Sequence, residues 1–132
     1  MAGLGGREKS LTRTLSGGLK QRLALGCAIL HEPKIVFLDE PTGGVDPISR
    51  RNFWEIINQL SSAGITVLVT THFLDEAEYC DRIALIYRGR AIALGSPDEL
   101  KKEVATSAHP DPTMEDAFVA LVTTSDAHQE AA

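Results

Sequence analysis

The residues best suited to chemistry fall in three short stretches. The first is Leu15-Ser16-Gly17-Gly18, a polar cap and two glycines ahead of a helical pattern. The second is Ile35-Val36-Phe37-Leu38-Asp39-Glu40-Pro41, an apolar run closing on adjacent carboxylates. The third is Val67-Leu68-Val69-Thr70-Thr71-His72, an apolar run followed by a histidine. A helix start offers free backbone N–H groups and the positive end of the helix dipole. Glycines there let a phosphate approach closely, and the Ser16 hydroxyl adds a donor. Taken alone, these residues are equally an ordinary capped helix start. Together with the acidic strand end that follows, they read as a phosphate and magnesium site. Open α/β sheets place ligands at the carboxyl ends of their strands, where Asp39 and Glu40 fall. Adjacent strand residues point to opposite sides unless the strand ends there, so the two carboxylates should have separate tasks. Asp39 suits a magnesium ion or its bound water, and Glu40 suits polarising an attacking water. The bland alternative is a solvated carboxylate pair; the apolar run before it and the turn-forming Pro41 after it argue otherwise. A neutral imidazole at His72 can bridge a phosphate oxygen and the carboxylate region. His31, His109 and His128 have no such setting and are assigned no role.

The elements that must position these groups alternate. From Ser16 the pattern is helical, with Leu19, Leu23, Cys27 and Leu30 on one face, and Pro33 ends it. Ile35 to Leu38 is wholly apolar, as expected of a strand buried on both faces of a parallel sheet. Asp46 caps a helix with Pro47 at its first position; Phe53, Ile56, Ile57 and Leu60 form its stripe, and Gly64 supplies a left-handed stop. Ile65 to Thr70 reads as a second buried strand, and Leu74 to Cys80 as a short acidic helix. Ile83 to Tyr87 and Ala91 to Leu94 form a hairpin about Arg88-Gly89-Arg90. Ser96 and Glu99 make a capping box for a further helix. His109-Pro110-Asp111-Pro112 is a linker, and Thr113 caps a last amphipathic helix carrying Met114, Ala117, Phe118 and Leu121. Strand alternating with helix implies an α/β sheet. The organisation expected is a flexible segment over 1–14, a main part over 15–105, then linker, closing helix and frayed tail over 106–132.

The 132 residues suit one modest domain, with 43% hydrophobic content and a net charge of −5. The basic residues are scattered, which gives no electrostatic footprint for nucleic acid. No apolar run approaches the ~20 residues that span a bilayer. Cys27 and Cys80 are read as free, mostly buried thiols rather than a disulfide or metal pair.

In their order and spacing, these stretches resemble an ABC-transporter ATPase domain, continuously from about Leu15 to Leu100. Leu15 to Gly18 is similar to the signature motif, Ile35 to Glu40 to the Walker B strand with its catalytic glutamate, and Gly43 to Asp46 to the D-loop. His72 is similar to the switch histidine. Thr71 to Glu78 and the Arg88-Gly89-Arg90 turn resemble the exporter subfamily for drugs or polysaccharides, and Thr113 to Val122 its closing helix. Leu19 departs from the commoner glutamine, and Gly43-Gly44-Val45 from serine-alanine-leucine. The resemblance implies a partial P-loop NTPase-like fold, a parallel sheet with helices lacking the phosphate-loop strand. Gly3-Leu4-Gly5-Gly6-Arg7-Glu8-Lys9-Ser10 is a near match to a phosphate loop, but Glu8 stands at the second glycine and no strand precedes it. The chain then reads as a piece of a longer protein, or one with a misplaced start. ATP and Mg2+ are the implied cofactors. Asp39 would meet the metal, with Glu40 and His72 catalytic. Leu15, Ser16, Gly17, Gly18 and Asp46 would serve nucleotide across a dimer of ATPase domains.

The implied partners are that second ATPase domain and membrane permease subunits, with no nucleic acid. The implied location is cytoplasmic, on the inner face of the membrane. A second reading is a non-catalytic or split piece that needs its other half. A third is a soluble ABC protein outside transport, disfavoured by the exporter-like His72 to Glu78. The family's phosphate-loop strand lies between the strand before His72 and the strand at Ile83 to Tyr87. Its absence predicts that these strands re-pair or that the chain self-associates through open edges.

Overall fold

The computed structural model describes residues 5–6 and 9–130, with side chains through residue 127. Half of the Gly3 to Ser10 segment, including Glu8, lies outside them. The chain divides into two compact units, Met1–His72 and Phe73–Ala132.

In the first unit, a single 3-10 turn at Thr12–Thr14 leads to helix α1, Gly17–Ile29. Strand β1, Ile35–Asp39, helix α2, Pro47–Ser62, and strand β2, Thr66–Thr70, follow. β1 and β2 pair in parallel, with Ile35 opposite Thr66 and Asp39 opposite Thr70. α2 is the element that the sequence specifies best. Asp46 accepts from the Ser49 N–H at 3.0 Å, Pro47 occupies the first turn, and Gly64 follows with φ +90°. Phe53, Ile57 and Leu60 are buried as expected, joined by Trp54 at 1% exposure. The core of this unit also holds Leu15, Leu25, Val36 and Val45.

Two expectations fail here. β1 and β2 are not buried on both faces: Ile35, Phe37 and Leu68 are 53%, 72% and 52% exposed. A two-stranded sheet has one face on α2 and nothing among the described residues over the other, so alternation replaces full burial. The expected apolar face of α1 also fails. Leu25 is its buried residue, Cys27 is exposed, and Leu30 lies past the helix end at 80% exposure. α1 stops at Ile29, where the sequence placed the stop at Pro33.

The second unit begins with a 3-10 helix at Leu74–Tyr79. Strands β3, Ile83–Tyr87, and β4, Arg90–Gly95, form an antiparallel hairpin with a bulge near Leu85 and Ile86. Arg88 and Gly89 take φ +47° and +75°, as a two-residue turn of this hand requires. Helix α3, Pro97–Val104, carries the expected capping box of Ser96 and Glu99, and helix α4 is Met114–Glu130. Ala77, Leu85, Leu100, Met114 and Ala117 make the core. α4 runs past Thr124, where the sequence places the start of the tail, to Glu130. Asp126 accepts from Tyr87 Oη at 3.2 Å and pairs with Arg88 at 3.1 Å, which ties α4 to the hairpin turn. Cys80 is half-buried, and burial raises its thiol pKa. Within the first unit β2 pairs with β1, and within the second β3 pairs with β4.

Candidate functional site

β1 ends at Asp39, which stands in register with Thr70 at the end of β2. Thr70 Oγ1 donates to Asp39 Oδ1. The next residue, Glu40, has φ +42°. A non-glycine residue held in that left-handed region costs on the order of 1–3 kcal/mol and persists only where its surroundings fix it. Here the Glu40 N–H is shared between the Thr70 carbonyl at 3.0 Å and Thr70 Oγ1 at 3.1 Å. The Glu40 carbonyl accepts from the Gly43 N–H at 3.1 Å. A Cβ on Gly43 would come within 3.3 Å of that carbonyl, which accounts for glycine there.

The strand therefore ends between the two carboxylates, and each has its own partner: Thr70 for Asp39 and His72 for Glu40. Glu40 Oε2 lies 3.2 Å from His72 Nδ1, with the two side chains 54% and 59% exposed. At that exposure the contact fixes orientation and adds little stability, about 0–1 kcal/mol. Asp39, Glu40 and His72 are thus brought together at one end of the sheet, linked through Thr70. The sequence did not single out Thr70. Its cue is a polar, β-branched residue at the strand end, and its role depends on a register no single sequence displays.

The remaining candidates form a second cluster. Leu15 is buried and anchors the start of α1. Ser16 Oγ accepts from the Leu19 N–H at 3.4 Å, and its own hydroxyl hydrogen is left to donate elsewhere. A Cβ on Gly17 would meet only the Gly44 carbonyl at 3.7 Å, an ordinary contact. A Cβ on Gly18 would sit 3.0 Å from Ser49 Cβ and 3.2 Å from Ser49 Oγ. A side chain at Gly18 would therefore crowd Ser49 where α1 and α2 start. The Ser49 N–H is the donor that caps Asp46, and this bond lowers the Asp46 carboxyl pKa. Leu15 to Gly18 and Asp46 so converge through Ser49.

Mg2+ beside a nucleotide is commonly held by one or two carboxylates plus phosphate oxygens and water. Asp39 fits that use, since Thr70 engages only Oδ1. Among the described residues, no group of three or more His, Cys, Asp or Glu residues could hold a metal alone.

The family model described as ABC transporter matches residues 2–43. The fold and the likenesses that follow are those of ABC-transporter ATP-binding proteins, and the chain corresponds to part of such a domain. It is 61% identical over 84% of its length to a probable multidrug ABC transporter ATP-binding protein, YbhF, of Escherichia coli, and covers 19% of that protein. It is 47% identical over 80% of its length to the daunorubicin/doxorubicin resistance ATP-binding protein DrrA of Streptomyces peucetius, covering 32% of it. Among solved structures, an ATP-binding subunit of an ABC transporter matches 86% of the chain with TM-score 0.70 and 31% identity, the match covering 46% of that subunit. The chain thus spans about a fifth to two fifths of the curated relatives it matches.

Proposed function

We propose that these residues form part of the ATP-hydrolysing subunit of an exporter. The contact between Glu40 and His72 beside the Thr70-held Asp39 carries this reading, because it gathers a metal carboxylate, a general base and an orienting imidazole at one strand end. Mg2+ held at Asp39 would supply positive charge against the phosphates of ATP. His72, with Nδ1 3.2 Å from Glu40 Oε2, holds that carboxylate to polarise the attacking water. Ser16, Gly17 and Gly18, with the positive end of α1, present N–H and hydroxyl donors to nucleotide on a second ATPase domain, and Asp46 faces the same partner. The multidrug and daunorubicin/doxorubicin resistance relatives favour drug export through permease subunits. The location that follows is the cytoplasmic side of a membrane; among the described residues no helix is long and apolar enough to cross one.

The test is Glu40→Gln in the full-length protein that carries this segment. ATP binding is retained and turnover falls by about 10²–10⁴, the usual worth of a positioned general base. Unchanged turnover refutes the assignment.

A further inference from the structure

We infer that Thr70 is a positioning residue for both carboxylates of the site. The inference rests on the roles proposed for Asp39 and Glu40. A threonine hydroxyl has one hydrogen to donate and lone pairs to accept. The hydrogen goes to Asp39 Oδ1, and a lone pair takes the Glu40 N–H at 3.1 Å. One side chain thus sets the metal carboxylate directly and the general base through its backbone. The Thr70 carbonyl reinforces the second effect by accepting the same N–H at 3.0 Å.

Several features make Thr70 suited to this. Parallel register places it opposite Asp39. Its branched Cβ stiffens χ1, so the hydroxyl keeps its direction without support from a packed core. Glu40 sits at φ +42°, a conformation that needs outside contacts to persist, and its N–H contacts both come from Thr70. Because Thr70 is exposed, water can replace a missing hydroxyl as a hydrogen-bond partner, but it cannot fix the two carboxylates relative to each other. The expected signature is lost alignment with the fold intact.

Thr70→Val keeps the side-chain shape and suits a strand, while removing the hydroxyl. In the full-length ATPase it should lower kcat about 10–100-fold, the scale of a small misplacement of catalytic groups, with KM for ATP nearly unchanged. Thr70→Ser restores the hydroxyl and should recover most of the loss. A purely structural role would instead lower the melting temperature and leave kcat per folded molecule unchanged. A readout independent of turnover is amide hydrogen exchange at Glu40 in the present chain. Exchange should quicken in Thr70→Val and return toward the parent rate in Thr70→Ser. Parent-like turnover and Glu40 exchange in Thr70→Val overturn the inference. Glu40→Gln in the same ATPase separates it from the reading beneath it. If Glu40→Gln abolishes turnover while Thr70→Val leaves it untouched, the role of Thr70 alone fails. If Glu40→Gln leaves turnover untouched, the site reading fails and the positioning role falls with it.

Discussion

Gly18 invites two explanations, a close phosphate or a close helix, and Gly18→Ala distinguishes them. The added methyl would lie 3.0 Å from Ser49 Cβ, where carbon atoms normally rest about 3.5–4.0 Å apart. Ser49 Oγ can rotate away, but its Cβ is bonded to the α2 backbone, so relief requires the start of α1 to move. Overpacking of this kind costs about 1–3 kcal/mol. Alanine gives back up to about 1 kcal/mol of helix propensity over glycine, less near a helix end. The net expectation is a loss of about 1 kcal/mol. Ser49→Gly removes the opposing Cβ and should cost about 0.5 kcal/mol in propensity alone. In the double variant the clash is gone, so the cycle should show a favourable coupling of about 1–2 kcal/mol. Urea unfolding read by fluorescence suits the question, because Trp54 is the single tryptophan, is 1% exposed and lies on α2. Additivity within about 0.5 kcal/mol would refute the packing argument and leave ligand approach as the reason for glycine.

Two further outcomes follow from the surface. Phe37 is 72% exposed on the open β1–β2 face, so the chain should self-associate there, and Phe37→Thr should weaken that association about 10–100-fold in sedimentation. A parent chain that sediments as a monomer at all concentrations would end that idea. Asp116 accepts from Thr113 Oγ1 at 2.6 Å and the Thr113 N–H at 2.9 Å, which lowers its pKa from 3.8 to about 2. A depressed folded-state pKa gives stability that is present above the unfolded value and lost as pH falls through the folded one. Thermal melts should therefore drop between about pH 4 and 2. Asp116→Asn should flatten that limb, and an unaltered limb would contradict the linkage.

Legibility in the sequence followed the range of the interaction concerned. α2 was readable end to end because cap, first-turn proline, stripe and terminal glycine are local. The capping box at Ser96 and Glu99 and the Arg88-Gly89 turn were readable for the same reason. Burial of β1 and β2 was misread, because four apolar residues in a row say what a strand could bury but not how many neighbours it has. Phe37 and Leu68 show the difference. The α1 face failed similarly: its spacing of three and four fits more than one stripe, and the buried residue is Leu25. The end of α4 was not readable because Asp126 is held by Tyr87 and Arg88, residues remote in the chain. The candidate site divides along the same line. Asp39, Glu40 and His72 were visible as residue types at strand ends. Thr70, which holds the Asp39 carboxylate and the Glu40 backbone N–H, was visible only once the strands were in register.

The site turns on a break in regular structure. Had β1 continued through position 40, Asp39 and Glu40 would point to opposite faces of the sheet. The left-handed turn at Glu40 removes that constraint at a cost of about 1–3 kcal/mol. Glycine at position 40 would accept the same φ without strain, but it carries no carboxylate. The strain is tolerated because Thr70 and Gly43 bond the Glu40 backbone on both sides, and because Gly43 has no Cβ to obstruct its carbonyl. A strained acidic residue, held from two directions and aimed at a histidine, is costly to build for stability alone. The arrangement is explained if position 40 must supply a carboxylate to chemistry.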